Sequence, residues 1–282
     1  MYRRSLTLAA LLILSACDAD VCPEGQVRDG DDCAAYQADA PVPAGEVWAP
    51  APGTTWQWQI TDTVDTSLDV AMYDVDLFDL TDGVREALQA DDKTLICYFS
   101  AGSYEPWRPD AGDFPASAIG DTLEGWADER WLDITDEGVR EIMRARLALA
   151  VEKGCDGVEP DNVTAHHSDT GFGINATEQL DYNRFLADES HALGLSVGLK
   201  NDMDQAAALL DWFDWALNEE CHDYDECDTL APFVDAGKAV FHVEYVDDWA
   251  DAPAKAAEIC GIPGFSSLVK GWDLGAEFQD CD

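Results

Sequence analysis

Short apolar runs rich in β-forming residues alternate with helix-like stretches from Trp48 onward. Eight runs follow this pattern: Trp56–Ile60, Val70–Phe78, Thr94–Ala101, Gly157–Val163, Ser196–Asp202, Trp215–Cys221, Ala239–Tyr245 and Phe265–Trp272. Strand–helix alternation repeated eight times over this length is typical of a parallel barrel, so the predicted fold is α/β, a single-domain (β/α)8 barrel. The alternative is a doubly wound open sheet, but the glycine-rich phosphate loop that usually follows its first strand is absent. A ninth run, Trp131–Ile134, is interpreted as an excursion in the long loop after the third strand.

Two of the intervening helices have recognisable ends. The first has apolar residues at helical spacing, namely Val139, Ile142, Met143, Leu147, Ala150 and Val151. We expect Thr135 to cap its N-terminus and Gly154 to end it. Asn175, with Glu178 three residues later, predicts a capping box at the start of a helix that ends near Gly194.

The first residues resemble an export signal. Arg3 and Arg4 precede a short apolar stretch, and small residues then lead to Cys17, as in a bacterial lipobox. We therefore predict a signal peptide over residues 1–16, a lipidated Cys17, and a bacterial cell-envelope lipoprotein on the periplasmic or cell-surface face, or a secreted protein. The alternative is an ordinary signal peptide with Cys17 in a disulfide. Residues 17–47, rich in Asp, Ala, Pro and Gly, are predicted to form a flexible tether with a small disulfide loop, followed by the barrel domain over 48–282.

Export implies an oxidising compartment, in which the eight remaining cysteines can pair. The expected pairs are Cys22 with Cys33, Cys221 with Cys227, and Cys260 with Cys281, whereas Cys97 and Cys155 are either bridged or simply buried. No metal site is expected, because the sequence has no C-x-x-C pair and no H-E-x-x-H motif. His166 and His167 are interpreted as a solvated loop pair.

The chain is strongly acidic, with 58 Asp and Glu against 16 Lys and Arg and a formal net charge of −42. This charge excludes nucleic acid as a partner, because a polyanion would be repelled. It favours neutral or cationic ligands. Acidic surfaces are also a general aid to solubility, so charge alone does not define the substrate.

The informative carboxylates stand at strand ends, where the active sites of such barrels lie. The fourth run begins apolar and ends with Glu159 and Asp161, which share a face because side chains alternate along a strand. The second, fifth, sixth and seventh runs also carry polar groups near one end. A buried charge costs several kcal/mol unless it is paired, so a structural role alone does not account for this pattern. Converging carboxylates are what glycoside hydrolysis requires, with one as acid and one as nucleophile or base.

Four motifs resemble those of one enzyme family. They are ICYFSAGSYEPWR at residues 96–108, KGCDGVEPDN at 153–162, GLKND at 198–202 and NEEC at 218–221. In order and spacing they are similar to the endo-α-1,4-polygalactosaminidase family, glycoside hydrolase family 114. The likeness covers roughly residues 48–280.

This resemblance implies a (β/α)8 hydrolase that cuts α-1,4-linked galactosamine polymers, acts within the chain and retains anomeric configuration. Its two catalytic carboxylates match Asp161, as nucleophile, and Glu219, as acid/base, with the order of the two roles left open. No cofactor is implied, and we expect a monomer that meets the membrane only through its lipid anchor. The alternative is a noncatalytic carbohydrate-binding surface lipoprotein on the same barrel.

The remaining predicted site residues surround these two carboxylates. Protonated substrate amines are expected to pair with acidic side chains, namely Asp74, Asp76, Glu159, Asp202 and Glu244. Sugar rings are expected to stack on Tyr98, Trp126, Tyr245 and Trp272. Lys200 is expected either to hold Asp161 or Glu159 ionised or to form a structural ion pair. Ser100 and Asn201 complete the predicted substrate-binding set.

Overall fold

The structure, a computed structural model, describes residues 21–30, 32–37, 40, 41, 45 and 47–281. The predicted signal peptide and Cys17 lie outside these residues, so their interpretation stays a prediction. Within the described residues, no helix is long and apolar enough to cross a membrane.

The described residues form fourteen strands and six α-helices. The strands are β1 (Gln26–Asp29), β2 (Asp32–Ala35), β3 (Trp56–Gln59), β4 (Met72–Asp76), β5 (Thr94–Ser100), β6 (Ser103–Tyr104), β7 (Ile119–Leu123), β8 (Trp126–Leu132), β9 (Gly157–Asp161), β10 (Ser196–Lys200), β11 (Trp215–Glu219), β12 (Val240–Val246), β13 (Phe265–Gly271) and β14 (Gln279–Asp280). The helices are α1 (Asp82–Ala90), α2 (Glu137–Lys153), α3 (Ala176–Ala192), α4 (Ala206–Leu209), α5 (Ala231–Asp235) and α6 (Ala252–Ile259).

Eight parallel strands make the (β/α)8 barrel in the order β3-β4-β5-β9-β10-β11-β12-β13, and each corresponds to one of the eight predicted runs. Side chains join the first strand to the last: Trp56 Nε1 donates to the Ser266 carbonyl at 3.0 Å, and Lys270 Nζ to Gln57 Oε1 at 3.1 Å. The predicted barrel is therefore confirmed. β14 adds one antiparallel strand beside β13.

The ninth apolar run belongs to the predicted excursion after the third barrel strand. There β6, β8 and β7 form a small antiparallel sheet in that order. β8 includes the beginning of the predicted run and extends it back to Trp126. This small sheet brings Trp126 and Glu129 to the mouth of the barrel.

Helix ends agree with the sequence except at one residue. α2 is capped by Asp136 and not by the predicted Thr135, because the Asp136 carboxylate accepts from two amides of the first turn. The Thr135 hydroxyl donates instead to Asp133. At the other end, Gly154 adopts a left-handed conformation with φ 76°, as a glycine C-cap does. The predicted capping box of Asn175 and Glu178 is present at α3.

Large apolar side chains fill the barrel beneath the polar strand ends. Trp56, Trp215 and Phe241 lie near the beginnings of β3, β11 and β12, and their rings are in contact. Gly198 on β10 makes room for Trp215, since a Cβ at this position would lie 2.3 Å from the indole ring. The packed indole rings thus form an apolar floor, above which the strands turn polar.

Four disulfides cross-link the described chain. The three expected pairs are present, and Cys97, which the sequence left open, is bridged to Cys155. The Cys97–Cys155 bridge ties β5 to the residues that lead into β9. Disulfides at this density are typical of a protein that folds in an oxidising compartment.

The segment predicted as a tether contains the β1–β2 hairpin, closed by the Cys22–Cys33 bridge. Asn175 Nδ2 donates to the Cys22 carbonyl at 2.9 Å, and Arg28 pairs with Asp133 at 3.1 Å. This hairpin therefore packs against the start of α3. The extent of the tether and its boundary at residue 47 stay predictions.

Candidate active site

An open cleft of about 860 Å³ lies at the C-terminal ends of the barrel strands. Its walls come from the ends of seven barrel strands, from the small antiparallel sheet and from the loop after β13. Of the predicted site residues, nine line this cleft: Asp76, Tyr98, Trp126, Asp161, Lys200, Asn201, Glu219, Tyr245 and Trp272. The two predicted catalytic carboxylates are thus both on its wall.

Lys200, at the end of β10, is the centre of the site and is only 2% exposed. Its Nζ lies 3.1 Å from Glu159 Oε1, 3.0 Å from Asp161 Oδ1 and 3.1 Å from Glu219 Oε2. Burial opposes the charge of this amine, but the three carboxylates outweigh burial and raise the pKa of Lys200. One ammonium group thus forms ion pairs with all three acids.

The side chain of Asp161 receives hydrogen bonds on both oxygens. Tyr98 donates its hydroxyl to Oδ2 at 2.9 Å, Asn162 donates Nδ2 to the same oxygen at 3.2 Å, and Lys200 occupies Oδ1. Three donors, from β5, from the residue after β9 and from β10, hold this carboxylate in one orientation. Preorganised donors of this kind favour a group that acts as an anion.

Glu219, at the end of β11, is held in a similar way. The Tyr245 hydroxyl donates to Oε1, and Asn201 Nδ2 donates to Oε2 at 3.1 Å. Asn201 is itself fixed, because its Oδ1 accepts from the Glu219 amide at 2.9 Å and from Asn218 Nδ2 at 3.1 Å. Asn201 thus positions Glu219 by contacts to both its backbone and its side chain.

A second carboxyl pair lies below the cleft. Asp74 and Glu159 are fully buried, and neither lines the cleft wall. Burial and the neighbouring Glu159 raise the pKa of Asp74 well above its usual value, while burial raises the pKa of Glu159 to about 8 despite Lys200. The charge of Glu159 thus acts on Asp74, and Glu159 itself accepts from Trp58 Nε1 at 3.1 Å. Lys200 does not keep Glu159 strongly acidic.

Asp76 faces the cleft but is already paired with a cation. Arg108 Nη1 and Nη2 donate to its two oxygens at 3.0 and 2.6 Å. Arg108 Nε also donates to Glu105 at 2.8 Å. A bidentate pair of this kind is strong and directional, so Asp76 is a support of the cleft wall in this arrangement.

Ser100, Asp202 and Glu244 are buried beside the cleft and do not line it. Ser100 Oγ is 2.6 Å from Ser103 Oγ. Asp202 Oδ2 accepts from Asn183 at 2.6 Å, and Glu244 Oε1 is 3.0 Å from His242 Nε2. These contacts place the three side chains in supporting networks rather than on the wall.

The predicted aromatic residues divide into two pairs. Tyr98 and Tyr245 are mostly buried and present their hydroxyls to the two catalytic candidates. Trp126 and Trp272 are more than half exposed, and Trp272 stacks on Tyr245 with ring centroids 4.2 Å apart. Two further exposed aromatics of the cleft were missed in the sequence, namely Trp107 and Tyr224. In the described part of the chain, every Trp, Tyr or Phe side chain that is more than half exposed lines this cleft.

Sequence reasoning also missed seven acidic residues of the wall, of which Glu105 and Glu129 accept supporting hydrogen bonds at the barrel mouth. Glu105 lies in the motif of residues 96–108, so the sequence offered a signal that it belongs to the site. Glu129 had no sequence signal, because its place depends on how β8 folds over the barrel mouth. Burial raises the pKa of Glu129 to about 7, a hydrogen bond from Ser103 lowers it, and the charges of Glu105 and Asp161 add to the rise.

Comparison with known proteins identifies the family. Residues 37–282 match the sequence profile of glycoside-hydrolase family GH114. The chain belongs to this family. This GH114 protein is thus a glycoside hydrolase, as the four motifs indicated. None of the curated proteins matches it in sequence.

One solved relative is similar over nearly the whole barrel. The structure of Aspergillus fumigatus Ega3 in complex with galactosamine is 39% identical, with a TM-score of 0.80 over 84% of this chain and 100% of that one. Two remoter structures share the fold. The glycoside hydrolase domain of Pseudomonas aeruginosa PelA is 14% identical, with a TM-score of 0.64 over 82% of this chain and 98% of that one. Eubacterium rectale Amy13B is 11% identical, with a TM-score of 0.52 over 82% of this chain and 69% of that one.

The central amine yields a first prediction. Lys200→Met should lower the free energy of unfolding by roughly 3 kcal/mol at pH 7 and abolish turnover, because three carboxyls at the barrel mouth lose the ammonium group that they share. Chemical denaturation monitored by circular dichroism measures this loss. Lys255→Met is the matched control, because Lys255 pairs with exposed Asp223 and should change stability by less than about 1 kcal/mol. Equal stability of the Lys200 and Lys255 variants would contradict the central role of Lys200.

Proposed function

We propose that this GH114 protein hydrolyses α-1,4-linked galactosamine-containing polysaccharide by an endo-acting, retaining mechanism, with Asp161 and Glu219 as its catalytic pair. The observation that carries the proposal is the placement of both carboxylates on one buried amine at the wall of an open cleft. Each is held by several donors from different strands. A cleft with two preorganised carboxylates has the groups that glycoside hydrolysis needs.

The spacing of the pair favours retention. Asp161 Oδ1 and Glu219 Oε2 each lie about 3 Å from Lys200 Nζ, so these oxygens are at most about 6 Å apart. Retaining enzymes hold their carboxyls about 5–5.5 Å apart, whereas inverting enzymes leave about 6.5–9.5 Å for a water molecule. The bound on these two oxygens agrees with the retaining spacing.

In the proposed first step, Asp161 attacks the anomeric carbon while Glu219, in its protonated form, gives its proton to the leaving glycosidic oxygen. A covalent glycosyl–Asp161 ester forms as the glycosidic bond breaks. In the second step, Glu219 takes a proton from water, whose oxygen attacks the anomeric carbon and releases Asp161. The donors on Asp161 suit the departing carboxylate, because Tyr98, Asn162 and Lys200 all stabilise its negative charge.

The substrate class rests on the cleft and on the relative. Ega3, 39% identical, was solved with galactosamine. The cleft of this chain is acidic, with Glu105, Glu129, Glu220 and Glu226 on its wall, which favours a sugar that carries an ammonium group. Exposed Trp107, Trp126, Tyr224 and Trp272 offer faces on which several sugar rings stack. Stacking surfaces spread around an open cleft support endo action on a polymer.

Amide variants test the catalytic pair. Asp161→Asn and Glu219→Gln should each lower kcat on α-1,4-galactosamine oligomers by about 10³-fold or more, because the amides neither form the ester nor donate the proton. Product release is followed by mass spectrometry, and the anomer formed first is read by NMR. Asp62→Asn is the matched control, because Asp62 lies on the same cleft wall but contacts neither carboxylate in the described structure.

The two roles separate on a substrate with an activated leaving group. Glu219→Gln should recover the first step there and release about one leaving group per enzyme in a burst, because such a leaving group needs no protonation while hydrolysis of the ester still lacks its base. Asp161→Asn should give no burst. Binding of oligomers without cleavage by the wild-type protein would instead support a noncatalytic carbohydrate-binding role. A first product of inverted configuration would contradict the retaining mechanism.

The raised pKa of Glu129 predicts a pH dependence of substrate binding. Because its pKa is raised to about 7, this carboxyl is neutral below pH 7 and ionised above it. Between about pH 6 and pH 7.5 the cleft gains a negative charge, and the KM for galactosamine oligomers should fall roughly fivefold, a free energy of about 1 kcal/mol. Steady-state kinetics at the two pH values measure this change. In Glu129→Gln, or with fully N-acetylated oligomers, this fall should be absent; an equal fall in Glu129→Gln would assign it to another group.

We further propose that Cys17 anchors the protein to the cell envelope, with residues 1–16 removed as a signal peptide. The lipobox-like residues before Cys17 and the disulfides of the barrel support this location. Cys17→Ala should move the protein from the membrane fraction to the soluble fraction of expressing cells. Sedimentation followed by immunoblotting measures the change. Membrane association that survives in Cys17→Ala would contradict the anchor.

A further inference from the structure

Two histidines and an aspartate converge on the rim of the cleft. His166 and His167 lie in the loop after β9, and Asp204 lies in the loop after β10. His166 Nε2 is 3.4 Å from Asp204 Oδ2, and His167 Nε2 is 2.9 Å from Asp204 Oδ1. The two imidazole rings stand 3.9 Å apart between centroids. Both rings thus direct a nitrogen at one carboxylate, and the three ligand atoms lie within 4.8 Å of one another.

Asp202 points into the same cluster. It is 1% exposed, and its Oδ1 lies 4.0 Å from His166 Nε2 with no hydrogen-bond donor in the described part of the chain. Its other oxygen accepts from Asn183 Nδ2 at 2.6 Å. A buried carboxylate oxygen without a partner is costly, so this oxygen requires a proton or a cation.

We propose that His166, His167, Asp204 and Asp202 bind one divalent transition-metal ion of the Zn²⁺ type. Imidazole and carboxylate ligands suit Zn²⁺, with bonds of about 2.0–2.2 Å, so two atoms on one ion lie within about 4 Å of each other. The three nitrogen–oxygen separations in the cluster run from 2.9 to 4.0 Å. His167 and Asp204 are exposed, so their side chains can rotate to bring all four ligand atoms to bonding distance from one ion.

A purely hydrogen-bonded cluster would leave one buried oxygen unsatisfied. The imidazoles satisfy Asp204, but Asp202 Oδ1 stays without a hydrogen-bond donor among the described residues. Hard cations such as Ca²⁺ and Mg²⁺ prefer oxygen ligands throughout, and here two of the four ligands are imidazoles. The sequence favoured a solvated histidine pair, but the side chain of His166 is only 4% exposed. Of the two histidines, only His167 is solvated.

The proposed ion would connect two loops that line the active-site cleft. Thr164 precedes the histidines on the cleft wall, and Met203 lies between the two aspartates on the same wall. Asp202 directly follows Asn201, which holds Glu219. The ion would thus fix the rim without touching the reacting sugar. This inference does not depend on the proposed substrate or mechanism.

The test uses the purified protein, stripped with EDTA and dialysed. Titration with ZnCl₂ in a calorimeter should give one site per chain, and Zn²⁺ should raise Tm by about 3 °C or more because it binds only the folded state. His167→Ala and Asp204→Asn should lose this site and the Tm increase, since both residues are exposed ligands whose replacement leaves the core intact. His222→Ala is the control, as a partly exposed histidine outside the cluster.

The outcomes separate a built site from adsorption on an acidic surface. Tight Zn²⁺ binding by wild type and His222→Ala, with loss in both cluster variants, supports the proposal. Equal Zn²⁺ binding by all four proteins, or equal Tm increases with Zn²⁺ and Mg²⁺, would overturn it. No Zn²⁺ binding by the wild-type protein would also overturn it, and the cluster would then be a hydrogen-bonded one. Oligosaccharide cleavage is not needed for any of these readouts, so failure here is distinct from failure of the proposed activity.

Discussion

The site depends on one buried ammonium group. Lys200 is the only cation within 3.1 Å of Glu159, Asp161 and Glu219 in the described structure. Without it, three carboxyls would repel one another, and the fully buried Glu159 would have no counter-ion. The arrangement also joins the two catalytic candidates through a shared partner, so that the separation of their oxygens follows from the position of one nitrogen. The same ammonium group therefore stabilises the barrel mouth and sets the spacing of the two candidate carboxylates.

This constraint also accounts for the division of labour among the acidic residues. Carboxyls below the cleft, such as Asp74 and Glu159, have raised pKa values because burial disfavours their charged forms. They lie below the cleft wall, where Glu159 pairs with Lys200, and are unsuited to binding a substrate amine. Carboxyls on the open wall, such as Glu129 and Glu220, keep contact with solvent and so with a ligand. The net charge of the chain includes both the buried carboxyls and those on the open wall. Only their positions in the barrel show which of them can contact a sugar.

Whether a strand-end carboxyl is buried or lies on the wall is a feature that the sequence could not predict. The eight barrel strands and the capping box at Asn175 follow from local patterns. The choice of Asp161 and Glu219 comes from the family resemblance, and barrel topology explains only why their strand ends lie at the same cleft. Burial at those ends does not follow from such patterns. Asp202 and Glu244 end up beside the cleft since neighbouring loops cover them, and Glu129 reaches the wall because β8 folds over the mouth. Asp136 and not the adjacent Thr135 caps α2. Sequence alone does not distinguish two neighbouring cap residues, because the cap is set by where the backbone becomes helical.

The backbone supports the same geometry at a conformational cost. Asn162, Asn201 and Glu220 directly follow β9, β10 and β11, and all three have left-handed conformations with φ of 60°, 52° and 62°. Asparagine tolerates this region better than most residues, whereas for glutamate it is unfavourable. Three such residues at consecutive strand ends turn the chain sharply just beyond Asp161, Lys200 and Glu219. Each of these side chains therefore stays on the cleft wall, while the following loop runs away from the barrel. Strain of this kind persists only where surrounding contacts hold it, and the hydrogen bonds from Asn162 to Asp161 and from Asn201 to Glu219 are such contacts. Asn162 and Asn201 therefore make both the turns that end their strands and hydrogen bonds that orient the acids. The position of the proposed catalytic pair is thus a property of the barrel rather than of the loops that leave it.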